Sequence, residues 1–173
     1  GSKASDLFAE IFKKAGDFEL EANYKRLLNT KIETILFDIA TVQFTNTDNN
    51  PVLTAFTKEF NRHAGYSYQP NIAAIERDIE KQGLLTQFKE AFLQKTGRDW
   101  QEERDVIGAF DTNLVSVYAQ VANVSEDAAR AYVDERRQEY RIDTDGFVKL
   151  VADYLIKQGD DTTLIFCADE VSQ

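Results

Sequence analysis

The sequence predicts an α/β fold that is predominantly helical, with two parallel strands flanking a multi-helix insertion. Three observations lead there. Dense runs of β-branched and aromatic residues lie toward each end of the chain, from Ile32 to Val42 and from Thr163 to Cys167. Between them, from Asn50 to Gly159, apolar residues recur at helical spacing almost without interruption. The chain of 173 residues, 43% apolar with twelve Phe and seven Tyr, is the size of one domain and holds enough apolar matter for a real core.

Gly1-Ser2 reads as a tag remnant and is set aside. In the stretch 3–49, Ser5 is placed to cap a first helix carrying Leu7, Phe8, Ile11 and Phe12 on one face, and Gly16 to end it. A second helix is expected over Glu19 to Leu28, where Leu20, Tyr24, Leu27 and Leu28 keep the spacing. Ile35, Leu36, Phe37 and Ile39 are then too dense for one helix face. Glu33 to Ala40 is therefore expected to be a strand buried on both faces, as in a parallel sheet covered by helices. The polar run Thr45 to Asn50 closes this part.

The insertion spans 50–159 and should hold five to seven short helices. Asn50-Pro51 starts one with Val52, Leu53, Phe56 and Phe60 inward and Gly65 after its end. Pro70-Asn71 starts another with Ile72, Ile75 and Ile79, stopped at Gly83; Leu84, Leu85, Phe88 and Phe92 continue to Gly97. Asp99 caps a turn holding Trp100, which should anchor the core with Phe92 and Phe110. Asp111 or Thr112 opens a helix with Leu114, Val117, Tyr118 and Val121, and Ser125 caps one with Ala128, Ala129, Tyr132 and Val133. The last helix carries Phe147, Leu150, Val151, Tyr154 and Leu155 before Gly159. The lengths vary too much for a solenoid repeat. The stretch 160–173 returns to strand, and two strands separated by helices imply a right-handed parallel crossover.

Thirty acidic against twenty basic residues leave a net charge of −10, spread along the helices. Such a body repels a phosphate backbone, so direct nucleic-acid binding is not expected. Apolar stretches run only five or six residues, far short of the roughly 20 of a membrane helix, so no membrane partner is expected. The single cysteine, Cys167, leaves no internal disulfide, fits a reducing cytoplasm, and is expected to be an inert packing residue inside a buried strand.

The final strand carries the chemistry. Thr163 to Ala168 runs apolar into Asp169-Glu170, the pattern of a Walker B strand. A strand inside a parallel sheet must be apolar along its body, and its carboxyl end opens onto the crevice where ligands bind. The first acid there helps hold Mg²⁺, and the second orients or deprotonates the attacking water. A buried strand followed by two acids also arises without any such role. No GxxxxGK[ST] phosphate loop occurs at any of the eight glycines, which counts against an ATPase unless the loop lies upstream of this chain.

Five segments, Ile32-to-Ile39, Arg62-His63-Ala64-Gly65-Tyr66, Ile72-to-Lys81 with Gly83, Trp100-Gln101-Glu102-Glu103-Arg104-Asp105 and Leu164-to-Gln173, occur in the same order in a known family. In these, from about Leu7 to Gln173, the chain resembles the large P-loop ATPase of BREX phage-resistance systems, the BrxC/PglY family. The Trp-x-Glu-Glu-Arg-Asp segment and the Asp-Glu-Val-x-Gln ending are the most specific parts. Ser172 departs from the Gly common there, and Ala168 from a frequent Val. The resemblance implies that all these stretches belong to one P-loop ATPase domain and that this chain is an internal fragment, inactive alone because the phosphate loop is missing. It assigns Asp169 to Mg²⁺ and the nucleotide, through water, and Glu170 to catalysis. It further implies ATP and Mg²⁺ in the parent and none bound to this chain, a bacterial cytoplasmic setting, antiviral defence, and other BREX proteins as partners.

The competing reading is a helical protein–protein interaction and assembly module over Pro51 to Lys157, without nucleotide chemistry. Self-association through an exposed sheet edge at Thr163 to Ala168 is expected in either case. His63 reads as a residue at a helix C-terminus, Glu102-Glu103-Arg104-Asp105 as a solvated face with local ion pairs, and Arg136-Arg137 with Arg141 as a salt-bridged surface.

Overall fold

The structure, a computed structural model, describes residues 10–11, 13–14, 16, 18–42, 50–107, 111–159 and 162–169. Among these lie eight helices and two parallel strands, so the chain is mostly helical. The chain divides into two compact units, Gly1–Phe37 with Leu150–Gln173, and Asp38–Lys149.

The second unit carries α2 (Pro51–His63), α3 (Pro70–Lys81), α4 (Leu85–Thr96), the single turn α5 (Trp100–Glu103), α6 (Thr112–Ala122), α7 (Glu126–Glu139) and the start of α8 (Thr144–Gln158). The caps follow local chemistry. The Asn50 side chain accepts Leu53 N at 3.0 Å ahead of Pro51, Asp99 accepts Gln101 N at 2.7 Å, Asp111 accepts Asn113 N at 2.7 Å, and Ser125 accepts Ala128 N at 3.2 Å. Gly97 ends α4 at φ 73°, a left-handed conformation that costs glycine little.

In this unit α6 packs on α4 and α7, and α3 on α2, α4 and α7. Ile72, Ile75 and Ile79 of α3, Phe88 and Phe92 of α4, Leu114 and Val117 of α6, and Val133 of α7 meet in one core. Trp100, 1% exposed, stands edge-on to Phe88 and Phe92, with ring centroids 4.8 and 5.0 Å away. The expected contact of Trp100 with Phe110 lies outside the described residues. On α2, Phe60 is buried and meets Phe147 edge-on at 5.9 Å, but Val52, expected inward, is exposed. The buried face of α2 instead includes Thr57 and Asn61, so this helix is more polar inside than its apolar spacing suggests.

The first unit holds α1 (Phe18–Asn29), β1 (Lys31–Asp38, its last residue counted with the other unit), β2 (Thr162–Asp169) and the end of α8. β1 and β2 form a two-stranded sheet. The Tyr154 hydroxyl donates to Glu33 at 2.6 Å and Lys31 donates to Gln158 at 3.1 Å, which fastens α8 to β1. The expected burial of both strands on both faces is corrected. β1 buries Ile35 and Phe37 but turns Leu36 out, 77% exposed. β2 alternates between half-buried and exposed residues, and Cys167 falls on the exposed set rather than in a core. The physical reason is coverage: side chains alternate between the two faces of a strand, so where only one face is packed every second residue stays exposed, apolar or not. After Asp38 the chain turns into a 3₁₀ helix (Ile39–Thr41), so the strand ends earlier than the predicted Ala40. The predicted first helix lies largely outside the described residues; Glu10 and Lys14 are helical and ion-paired at 3.0 Å.

Candidate functional site

The carboxyl end of β2 places Asp169 as its last strand residue, exposed to solvent. Glu170, the predicted catalytic acid, lies outside the described residues. β1, which runs parallel, also ends on an aspartate. The Asp38 carboxylate accepts Ala40 N at 2.8 Å and its carbonyl accepts the Thr41 hydroxyl at 2.8 Å, so it serves as the N-cap of the 3₁₀ turn. An exposed carboxylate at this place offers oxygen, the donor type Mg²⁺ takes, and that ion keeps several of its waters because it dehydrates reluctantly. Among the described residues no three of His, Cys, Asp and Glu come together as a metal-ligand group. For ATP itself, no GxxxxGK[ST] stretch occurs in the 173 residues to cradle phosphates.

The segments that carry the family resemblance within the helical unit converge on one buried carboxylate. Glu76 sits on α3 four residues after Ile72 and three before Ile79, on the apolar face, and is 1% exposed. Its Oε2 accepts Ser67 N at 2.5 Å; its Oε1 accepts Trp100 Nε1 at 2.7 Å and Arg104 Nη1 at 3.2 Å. Arg104 also donates to the Gly65 carbonyl at 2.7 Å. Asp105 completes the lock, accepting the Ser67 hydroxyl at 2.7 Å and Tyr68 N at 2.6 Å, while its carbonyl takes Gln69 Nε2 at 2.7 Å. Gly65, at φ 86°, supplies the backbone turn that brings this loop round.

The arrangement is structural. Glu76 is surrounded by donors and sealed from solvent, so it binds the 64–69 loop to α3 and α5 and is not open to a substrate. The predicted solvated face at Glu102 to Asp105 is thus split. Glu102 is exposed and Glu103 pairs with Arg98 at 3.1 Å, whereas Arg104 is half-buried against Glu76, and Asp105, though exposed, spends its carboxylate on the 64–69 loop. One signal was legible: a glutamate between isoleucines at i−4 and i+3 must lie on the core face and find donors there.

His63 is the last residue of α2, as expected. Arg136 pairs with Asp78 at 2.9 Å, and the Tyr132 hydroxyl donates to the same carboxylate oxygen at 3.0 Å, which ties α7 to α3 and fits the salt-bridged surface. Tyr66 donates to Glu80 at 2.5 Å, and burial followed by that bond pushes its phenol well above the ordinary tyrosine value. No protein-family model matches this sequence, and no solved structure matches it.

Proposed function

We propose that this chain is an internal segment of a bacterial anti-phage P-loop ATPase of the BREX type, contributing the Walker B strand to the nucleotide site of the parent enzyme. The observation that supports the reading is β2: an apolar eight-residue strand, parallel to β1, that delivers Asp169 to its exposed carboxyl end. In this reading Asp169 holds Mg²⁺ through water and Glu170 orients or deprotonates the attacking water. The bound ion supplies charge neutralisation of the phosphates. Phosphate binding then falls to a loop that these 173 residues do not carry, and the chain alone neither binds ATP tightly nor hydrolyses it. The reading places the protein in the bacterial cytoplasm with other BREX proteins as partners. Among the described residues no helix is long and apolar enough to cross a membrane.

The test is ATP turnover by a chain extended to include a phosphate loop. Glu170→Gln is expected to lower turnover by about 100-fold or more while nucleotide still binds. Unchanged turnover in the variant sinks the assignment.

A second reading, assembly through the helical region, is favoured by the self-contained core of Asp38–Lys149. For either reading we propose self-association through β2, since among the described residues the sheet has two strands and therefore open edges. Light scattering across a broad concentration range is expected to show a mass above that of one chain. A constant monomer mass would refute it.

A further inference from the structure

The helix α8 (Thr144–Gln158) has a packed side and an open side. Phe147, Leu150, Val151, Tyr154 and Leu155 recur at helical spacing and are half-buried; Phe147 meets Phe60 edge-on and Tyr154 donates to Glu33. The open side is not wholly polar. Val148 is 58% and Ile156 76% exposed, and Ala152 between them is exposed as well. Four residues apart, the three lie one above another in a single apolar stripe.

A row of charges runs beside that stripe. Asp145, Lys149, Asp153 and Lys157 are exposed, again four apart, and alternate in sign. Neighbours in such a row attract one another along the helix. The alternation has a second property: read in reverse, it carries the opposite sign at every place. A second copy of the helix laid antiparallel therefore sets Lys157 opposite Asp145 and Asp153 opposite Lys149. Laid parallel and in register, each charge would meet its own sign and repel.

We propose that the open side of α8 is a self-recognition surface that pairs with α8 of a second copy of this chain, antiparallel, about a two-fold axis near Val151 and Ala152. In a two-fold contact the same patch serves both partners. Ala152 then meets Ala152 of the second copy at the centre, where its small side chain lets the helices approach, and Val148 meets Ile156 on either side. The charge row closes one flank. This contact lies on a helix and not on the β2 edge, and it does not depend on the ATPase reading, so the failure of either leaves it standing.

The test is disulfide trapping in the full chain carrying Cys167→Ser, which removes the single native thiol. A helix of about 22 Å offers a small contact, so a covalent trap is preferred to equilibrium mass. Under a mild oxidant, Ala152→Cys is expected to give a disulfide-linked dimer on a non-reducing gel. Val148→Cys should do so about tenfold more slowly or less, because roughly 11 Å along the axis separates that position from its own image, beyond the reach of a disulfide. Adding Lys149→Glu and Lys157→Glu to the Ala152→Cys chain makes the row wholly acidic and should slow trapping by about tenfold. Mixing that chain with an Ala152→Cys chain carrying Asp145→Lys and Asp153→Lys should restore trapping as a mixed dimer, which also shows that both variants fold. No trapping in Ala152→Cys, equal trapping at the two positions, charge reversal without effect, or no rescue on mixing would overturn the proposal.

Discussion

The helical unit and the strand unit spend similar kinds of residues to opposite effect. In Asp38–Lys149, Ile72, Ile75, Phe88, Phe92, Leu114 and Val117 are all buried, and Trp100 among them has its one polar atom satisfied. In the unit of Gly1–Phe37 and Leu150–Gln173, β1 buries Ile35 and Phe37, yet Phe18, Leu36, Ile156 and Ile165 stand exposed. Hydrophobic stabilisation scales with area removed from water, roughly 25 cal/mol per Å². An apolar pattern therefore measures a capacity for burial, and only covered surface turns it into stability.

The largest expected effect lies at the centre of the helical unit. Trp100→Ala should cost about 3–5 kcal/mol in urea unfolding, mainly by cavity formation, with the loss of one of the donors to buried Glu76 adding to it. Glu76→Ala should fall in the same range, because it leaves the Trp100 indole and Ser67 N without an acceptor in the interior and takes the carboxylate away from Arg104. A loss below about 1 kcal/mol for both would break the contrast between the units.

Alkaline pH probes both units at an intermediate scale. Tyr154 is pushed up to about 12, first by burial and then by its bond to the Glu33 carboxylate. Tyr66 and Tyr132 are raised as well, first by burial and then by Glu80 and Asp78 respectively. A folded-state pKa raised above its unfolded value stabilises fully below the ordinary tyrosine pKa near 10 and loses that contribution as pH rises through the folded value. Stability should therefore be flat below about pH 10 and fall above it, with Tyr154→Phe removing the strand unit's share of the slope. Tyrosinate absorbance and circular dichroism read this together; full titration of every tyrosine near pH 10 with the fold intact would contradict it.

The smallest effects are expected on the exposed sheet face. Leu36→Ala should change stability by no more than about 0.5 kcal/mol, and the Cys167 thiol should react with a disulfide reagent without prior unfolding. Protection of Cys167 by more than about tenfold relative to the unfolded chain would show that this face is covered in solution.

The helices were largely legible. Pro51, Pro70, Asp99, Asp111 and Ser125 mark starts that the structure keeps, and the spacing of Ile72, Ile75 and Ile79 identified the inner face of α3. The strand near the end of the chain was also legible as an apolar run, together with the position of Asp169. The polar interior was read less well. Asn61 and Arg77 carry no periodic signal, since an asparagine and an arginine on a helix are ordinarily solvated.

Taken alone, then, the sequence determined which stretches are helix and which are strand, because caps, prolines and residue spacing act within a few neighbours along the chain. Tertiary structure alone decided what those elements meet. Glu76 and Trp100 are 24 residues apart and Ser67 and Asp105 are 38 apart, so no local pattern links them. The outward turn of Leu36 and Cys167 has the same origin: a strand's apolar residues are buried only where another layer lies against them, and that is settled by packing at a distance.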